Sequence, residues 1–351
     1  MTQVSTIGLD LAKRVFQVHG EDAAGKVVLR RQLRRGEVAR FFAKLPPCLV
    51  GMEACGTAHY WGREIAALGH TVRLMPPTRV KPYVKWGKKN DQADAAACCE
   101  AVTRPSMQFV PIKTVEQQSV MMMHRARQLL IEQRTRLANA IRGQMAELGI
   151  VAARGRLGLS SLIAIIADPE DRQVPAVVRP VLQVLVEQWL TLKPRIAALE
   201  RQITAWHTSN ADSRRLATQP QFGPILSSAL VSQTGDAGRF SSGRQFSAWL
   251  GIVPRQASTG GKERLGGITK TGNRYLRQLL VVAATGLINR ARANPQRHPW
   301  FAALLARMPA KKAAVALANK MARIAWAMLA RHTDYRAPAR QTPAEAATQA
   351  A

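Results

Sequence analysis

Acidic residues are scarce: 22 Asp plus Glu stand against 51 Lys plus Arg in 351 residues, a formal charge of +29. That excess goes far beyond what solubility requires and implies a polyanionic partner. Cysteine is scarce as well. Cys48, Cys55, Cys98 and Cys99 form no CxxC pair and have no His at ligand spacing, which argues against a zinc site and a disulfide framework. They are read as buried small residues in a reducing compartment. Long apolar runs are missing too. Leu162–Ala167, one of the longest, has six residues, whereas a membrane span needs about 20, so no membrane partner is expected. Residues 1–5 carry neither the basic nor the apolar region of a secretory signal, so the expected location is the cytoplasm. The remaining composition, 47% hydrophobic and 21% charged, is that of a globular chain long enough for two or more cores.

From residue 4 to about 110, β-rich runs alternate with helical stretches. Strands are predicted at 4–10, 14–19, 26–30, 48–52 and 71–74, and helices at 38–45, 60–68 and from 91. Pro46-Pro47 separates the first helix from the fourth strand. This β-β-β-α-β-α-β-α order describes a mixed sheet flanked by helices. After Pro111 long helices take over. Met123, Leu130 and Leu137 recur every seven residues, although Arg127 and Arg134 weaken that seam. A cleaner seam runs through Leu182, Leu185, Trp189, Leu192, Ile196, Leu199, Ile203 and Trp206, and it predicts a helix–helix partner within the chain or in a second copy. Pro194 should kink or split that helix. Residues 251–351 hold 17 basic and 3 acidic residues, the main electrostatic footprint, and the Ala/Gln/Thr-rich tail from Pro338 is read as disordered.

In so basic a chain, carboxylates at the ends of apolar strands are informative. Asp10 follows Ile7-Gly8-Leu9, Glu53 ends Leu49-Val50-Gly51-Met52, and Asp91 and Asp94 lie three apart at a helix start. Four such acids suit hard divalent cations, and two metals about 4 Å apart can stabilise both the attacking and the leaving oxygen of a phosphodiester displacement. Each acid alone is ordinary, a strand end or a helix cap; the set in this order is not. The set resembles the DEDD acids of a RuvC-like, RNase H-type nuclease core. The phrases Gly8-Leu9-Asp10-Leu11-Ala12-Lys13, Gly51-Met52-Glu53-Ala54-Cys55-Gly56 and Asn90-Asp91-Gln92-Ala93-Asp94-Ala95 resemble the transposases of insertion-sequence family 110 and the Piv-type DNA invertases.

Farther on, Gln221-Phe222-Gly223-Pro224 followed by an apolar run looks like half of a helix-hairpin-helix, in which backbone N–H groups near Gly223 bind a phosphate. Five glycines fall between 260 and 272, and Arg255, Lys262, Arg264, Lys270, Arg274 and Arg277 are spread through and around them. Such a loop lets backbone approach a phosphodiester while the cations neutralise it. On setting alone, Ser258 is a solvated loop serine. The stretch from Gly251 to Arg277, however, resembles the family's C-terminal transposase domain, whose serine attacks DNA. Ser258 is the best positional match and Thr259 stands where many members carry a second serine. Ser241 and Ser242 read better as a helix cap.

The resemblance spans about residues 5–335. It implies a RuvC-like DEDD domain over 1–112, a long-helix coiled-coil assembly region over 113–210 and a mostly helical C-terminal transposase domain over 211–335, leaving a tail at 336–351. It also implies Mg²⁺, or Mn²⁺, held by Asp10, Glu53, Asp91 and Asp94. The implied partners are DNA, an element-encoded guide RNA and further copies of the chain, as a dimer or tetramer whose protomers share a composite site. Two other classes fit the residues less fully: a Holliday-junction resolvase using the acids alone, and a nucleic-acid-binding protein using no catalytic site.

Overall fold

In the computed structural model, which describes residues 3–84, 90–297 and 299–336, the alternating runs of the N-terminal third become strands. The chain forms two compact units, Met1–Gln118 and Ser119–Ala351.

In the first unit β1 (Thr6–Asp10), β2 (Val15–Glu21) and β3 (Val27–Arg34) form an antiparallel meander. The short helix α1 (Val38–Phe42) leads to β4 (Leu49–Glu53), helix α2 (Ala58–Ala67) to β5 (Thr71–Met75), and one helical turn, α3 (Pro77–Val80), precedes α4 (Asp91–Val102). Both β4 and β5 run parallel to β1, giving the order β3-β2-β1-β4-β5. Side-chain alternation divides this sheet cleanly. Ile7, Leu9, Phe16, Val18, Leu33, Val50 and Met52 share one face and bury themselves with Val38, Phe42, Trp61 and Ile65 of α1 and α2. The opposite face carries Gly8, Asp10, Gly51 and Glu53 beneath α4. Burial on both faces explains why β1 reads as a nearly continuous apolar run.

The element order matches the sequence expectation apart from the added turn α3, and two boundaries differ most. Strand β3 extends four residues beyond Arg30, through two further arginines, because an edge strand leaves alternate side chains in water. Helix α1 stops at Phe42 rather than Leu45. Cys48, Cys98 and Cys99 are buried as expected, but Cys55 is exposed, since it lies in the turn beyond β4 where backbone leaves the sheet.

The second unit is helical apart from one hairpin. The helices α5 (Val115–Glu147), α6 (Arg156–Ala167) and α7 (Arg179–Ser209) share a core of Ile141, Met145, Leu159, Leu162, Ile166, Leu182 and Val186. Every position of the 182–206 seam is buried or half-buried within this one chain. Pro194 does not split α7, which continues as one helix of 31 residues. After α8 (Ala211–Ala217) come α9 (Pro224–Thr234) and α10 (Gly243–Leu250), then a hairpin of β6 (Pro254–Gln256) and β7 (Leu265–Ile268), and finally α11 (Arg274–Ala293), α12 (Pro299–Arg307) and α13 (Ala310–Arg331). Phe246, Leu250, Leu276, Leu280, Met321 and Ala325 are central to their core. By length and composition α13 could cross a membrane, but half of its apolar window is buried in this core. A buried polar junction ties α5 to this core. His124 bonds the Tyr275 hydroxyl and Ser228 Oγ, both at 3.0 Å. Because Ser228 donates to the Pro224 carbonyl at 2.5 Å, His124 donates from Nε2 and accepts from Tyr275 at Nδ1. Burial pushes the imidazole down to about 4, so it stays neutral. The tail from Pro338 lies outside the described residues.

Candidate active site

Two glycines build the acidic site. Gly8 and Gly51 are direct partners in the parallel β1–β4 pairing, and α4 lies against both. A Cβ on Gly8 would stand 2.0 Å from the Ala95 carbonyl oxygen and 2.3 Å from the Cys99 nitrogen. One on Gly51 would stand 2.6 Å from Val102 Cβ and 2.8 Å from the Cys98 oxygen. Only glycine leaves room for a helix backbone there. Each strand acid follows its glycine by two residues, so it projects from the same face. The first turn of α4 brings Asp91 and Asp94 to the same place. Asn90 caps this helix, accepting from the Ala93 N–H at 2.8 Å, and the Asp91 carboxylate takes no part in that cap.

Asp10 lies within the field of the other three acids. The Asp10 carboxyl is raised to about 6, first by burial and then by Asp91, Asp94 and Glu53. Glu53 is raised by burial and by Asp94. The buried Cys98 thiol is pushed far up by desolvation, with Glu53 and Asp10 adding to it. None of the four acids forms an ion pair with a described residue. Such uncompensated, all-oxygen charge fits a hard divalent cation in chemistry. In geometry, no three His, Cys, Asp or Glu among the described residues close around one point as a ready cage. The carboxylates therefore share a field without forming a coordination shell.

The second cluster is the β6–β7 hairpin. Gly260 and Gly261, at φ of +55° and +76°, form its tip, closed by the Lys262 N–H donating to the Thr259 carbonyl at 3.0 Å. Ser258 sits exposed beside the tip, its Oγ accepting from the Arg264 N–H at 3.3 Å, with no side-chain base bonded to it among the described residues. Arg255, Lys262, Arg264, Lys270 and Arg274 are exposed around it. Arg277 differs from them. Its Nη1 donates to the carbonyls of Leu250 at 3.0 Å and Gly272 at 2.7 Å, clamping the hairpin base. Gly251 and Gly272 pack there so closely that a Cβ on Gly272 would lie 1.9 Å from the Trp249 oxygen. Gly272 thus serves close approach of one backbone segment to another, where the sequence alone presented it as room for a ligand. Gly223 is exposed at the N-terminus of α9, ahead of Pro224. As expected, Ser242 caps α10, accepting from the Gln245 N–H at 3.3 Å.

Sequence reasoning missed the junction at His124, whose partners lie 104 and 151 residues away in the chain. A lone histidine in a long helix carries no such signal. The glycine pairing had a usable one, since both strand motifs place Gly two residues before the acid.

Comparison with known proteins places the chain in a family. Residues 7–150 match a family described as Transposase, and residues 213–300 match the family described as Transposase IS116/IS110/IS902. A "Probable family 20 transposase" of Pseudomonas aeruginosa is 52% identical over 335 residues, 95% of this chain and 99% of that protein. The "Transposase for insertion sequence element IS1111A" of Coxiella burnetii is 39% identical over 337 residues, covering 96% and 92%. That for IS1328 of Yersinia enterocolitica is 38% identical over 336 residues, covering 95% and 99%. The fold and the matches define a transposase, an enzyme of DNA transposition whose mixed sheet fits an RNase H-like core. The chain belongs to the IS116/IS110/IS902 family.

Proposed function

We propose that this transposase cuts and rejoins the DNA of a mobile element by transesterification, with Asp10, Glu53, Asp91 and Asp94 holding Mg²⁺, or Mn²⁺, and Ser258 as nucleophile. The observation that carries the reading is the gathering of four carboxylates, without ion pairs among the described residues, where burial first and then the other three acids raise Asp10 to about 6. Bound Mg²⁺ supplies charge neutralisation at the attacking and leaving oxygens. Ser258 Oγ forms a bond to phosphorus as the bond to one strand end breaks, and the serine proton is balanced by that end leaving as a free hydroxyl. A hydroxyl from the second strand then attacks the phosphoserine, which restores both the backbone and the serine. Arg255, Lys262, Arg264, Lys270 and Arg274 neutralise phosphates, as do the amides after Gly223, while Arg277 contributes by holding the hairpin. Donor and target are selected by an element-encoded guide RNA, and the acids and the serine are supplied by different copies in an oligomer.

Denaturing gels with suicide DNA substrates test this. Ser258→Ala abolishes the covalent adduct with DNA affinity within about twofold of the parent, because one hydroxyl among many phosphate contacts adds little to binding. Thr259→Ala is milder. Asp10→Asn, Glu53→Gln, Asp91→Asn and Asp94→Asn abolish recombination while still melting cooperatively. Mixing Ser258→Ala with Asp10→Asn chains restores part of the activity. An adduct persisting in Ser258→Ala removes the serine, wild-type activity in two of the acid variants removes the metal site, and a mixture without rescue removes the shared arrangement.

A further inference from the structure

The face of the sheet that carries the acids is only partly covered. Helix α4 packs over β1, β2 and β4, and β3 lies beyond its reach as an edge strand. Register fixes what β3 presents on that side. Asp10 pairs with Gln17, which pairs with Gln32, while His19 pairs with Arg30 and Val15 with Arg34. Residues directly opposite in antiparallel strands share a face. Arg30, Gln32 and Arg34 are therefore coplanar with Asp10 and Glu53, and all three are exposed.

The intervening arginines turn the other way. Arg31 lies over the Phe41 ring at 5.7 Å, and Arg35, beyond the strand, over Trp61 at 5.3 Å. Arg30 and Arg34 form no ion pair with a described residue, whereas Glu21, the acid on this face of β2, is engaged by His19 at 3.2 Å. Exposed Lys13 and Arg14, in the β1–β2 turn, add positive charge at the end of the sheet where Asp10 lies. Two strand spacings put Gln32 about 10 Å from Asp10, and four residues put Arg30 and Arg34 about 13 Å apart, since strands lie about 4.8 Å apart and rise about 3.3 Å per residue.

We propose that this uncovered flank is a phosphate track for the DNA strand that enters the acidic site. Arg30 and Arg34 neutralise its backbone and Gln17 and Gln32 bridge toward Asp10. Positive charge beside a carboxylate cluster is what a polyanion needs to approach four carboxylates. The inference rests on the proposed function in taking DNA cleavage as the chemistry of the acids.

The test is a titration of the full chain with a fluorescent duplex bearing a single-stranded extension, over a series of salt concentrations. Arg30→Gln/Arg34→Gln lowers the slope of log affinity against log salt by about 1.4, two single-strand phosphates at roughly 0.7 each. Arg30→Lys/Arg34→Lys keeps the slope. Gln32→Glu, which leaves both arginines in place and sets a negative charge between them, weakens binding independently. An unchanged slope in the Gln pair overturns the track and leaves these charges the role of keeping the strand edge from pairing with another chain. A slope that falls for an RNA strand but not for DNA overturns it as well. Mg²⁺-dependent cleavage is followed in parallel. Cleavage by wild type with an unchanged slope in the Gln pair sinks the track alone, whereas the expected slope loss with no cleavage by wild type sinks the catalytic reading alone.

Discussion

Asp10 is the residue at which function opposes stability. Its carboxyl titrates near 6 in the folded chain against an ordinary 3.8. Between those values the folded state holds more protons than the unfolded state, so stability falls as pH rises through this window and the penalty is complete above about 6. Asp10→Asn removes it. Discounted for the partial exposure of the group, the gain is about 1 kcal/mol at about pH 7.5, measured as a higher melting temperature of the metal-free protein, and it vanishes near pH 4. Mg²⁺ raises the melting temperature of wild type at the higher pH and raises that of Asp10→Asn less. Equal melting of the two proteins at both pH values would contradict the shared field. Arg277 shows the opposite relation: its charge suggests a phosphate contact, while its Nη1 is taken up by two backbone carbonyls. Charge is visible in a sequence; what a guanidinium bonds to is not.

At the scale of elements, the seat of α4 is the sensitive joint. Gly8→Ala forces a Cβ against helix backbone that has no flexible end to yield, and Gly51→Ala meets Val102 and Cys98. Both should cost on the order of 2–3 kcal/mol, as overpacking does, and should reduce recombination even where the chain folds. A thermal melt beside a plasmid recombination assay measures this, and a Gly8→Ala protein as stable and active as wild type would show that the helix has room. The strands and helices of this unit were legible because apolar periodicity switches between 2 and 3.6 across clear breakers. The acids were legible because carboxylates are rare in the chain. The partnership of Gly8 with Gly51 was hinted at only by the shared Gly-x-acid spacing, since register between strands 43 residues apart is set by which side chains reach the core. The hairpin at 254–268 reads as loop although Gly260-Gly261 is a turn signal, because its flanking strands are only three and four residues long.

For the whole molecule, a charge of +29 predicts binding to nucleic acid that collapses with salt. Six neutralised phosphates lose on the order of 10³-fold in affinity between about 50 and 200 mM salt. A titration at several salt concentrations reads it, and a flat response would assign the basic surface to something else. The long helices illustrate the limit of composition at this scale. The 182–206 seam was legible as a packing stripe, and this chain's own helices bury much of it, while Val177, Val181 and Val184 remain exposed beside it.

The crossing of α4 over Gly8 and Gly51 also sets a timetable. During synthesis Asp10 and Glu53 leave the ribosome well before Asp94, and the glycine groove that aligns them has no helix to receive until residue 102 has followed. A polypeptide cut short before Asp91 carries two of the acids and never gathers all four. Under the proposed chemistry, incomplete copies that end before α4 lack an assembled acidic site by topology alone.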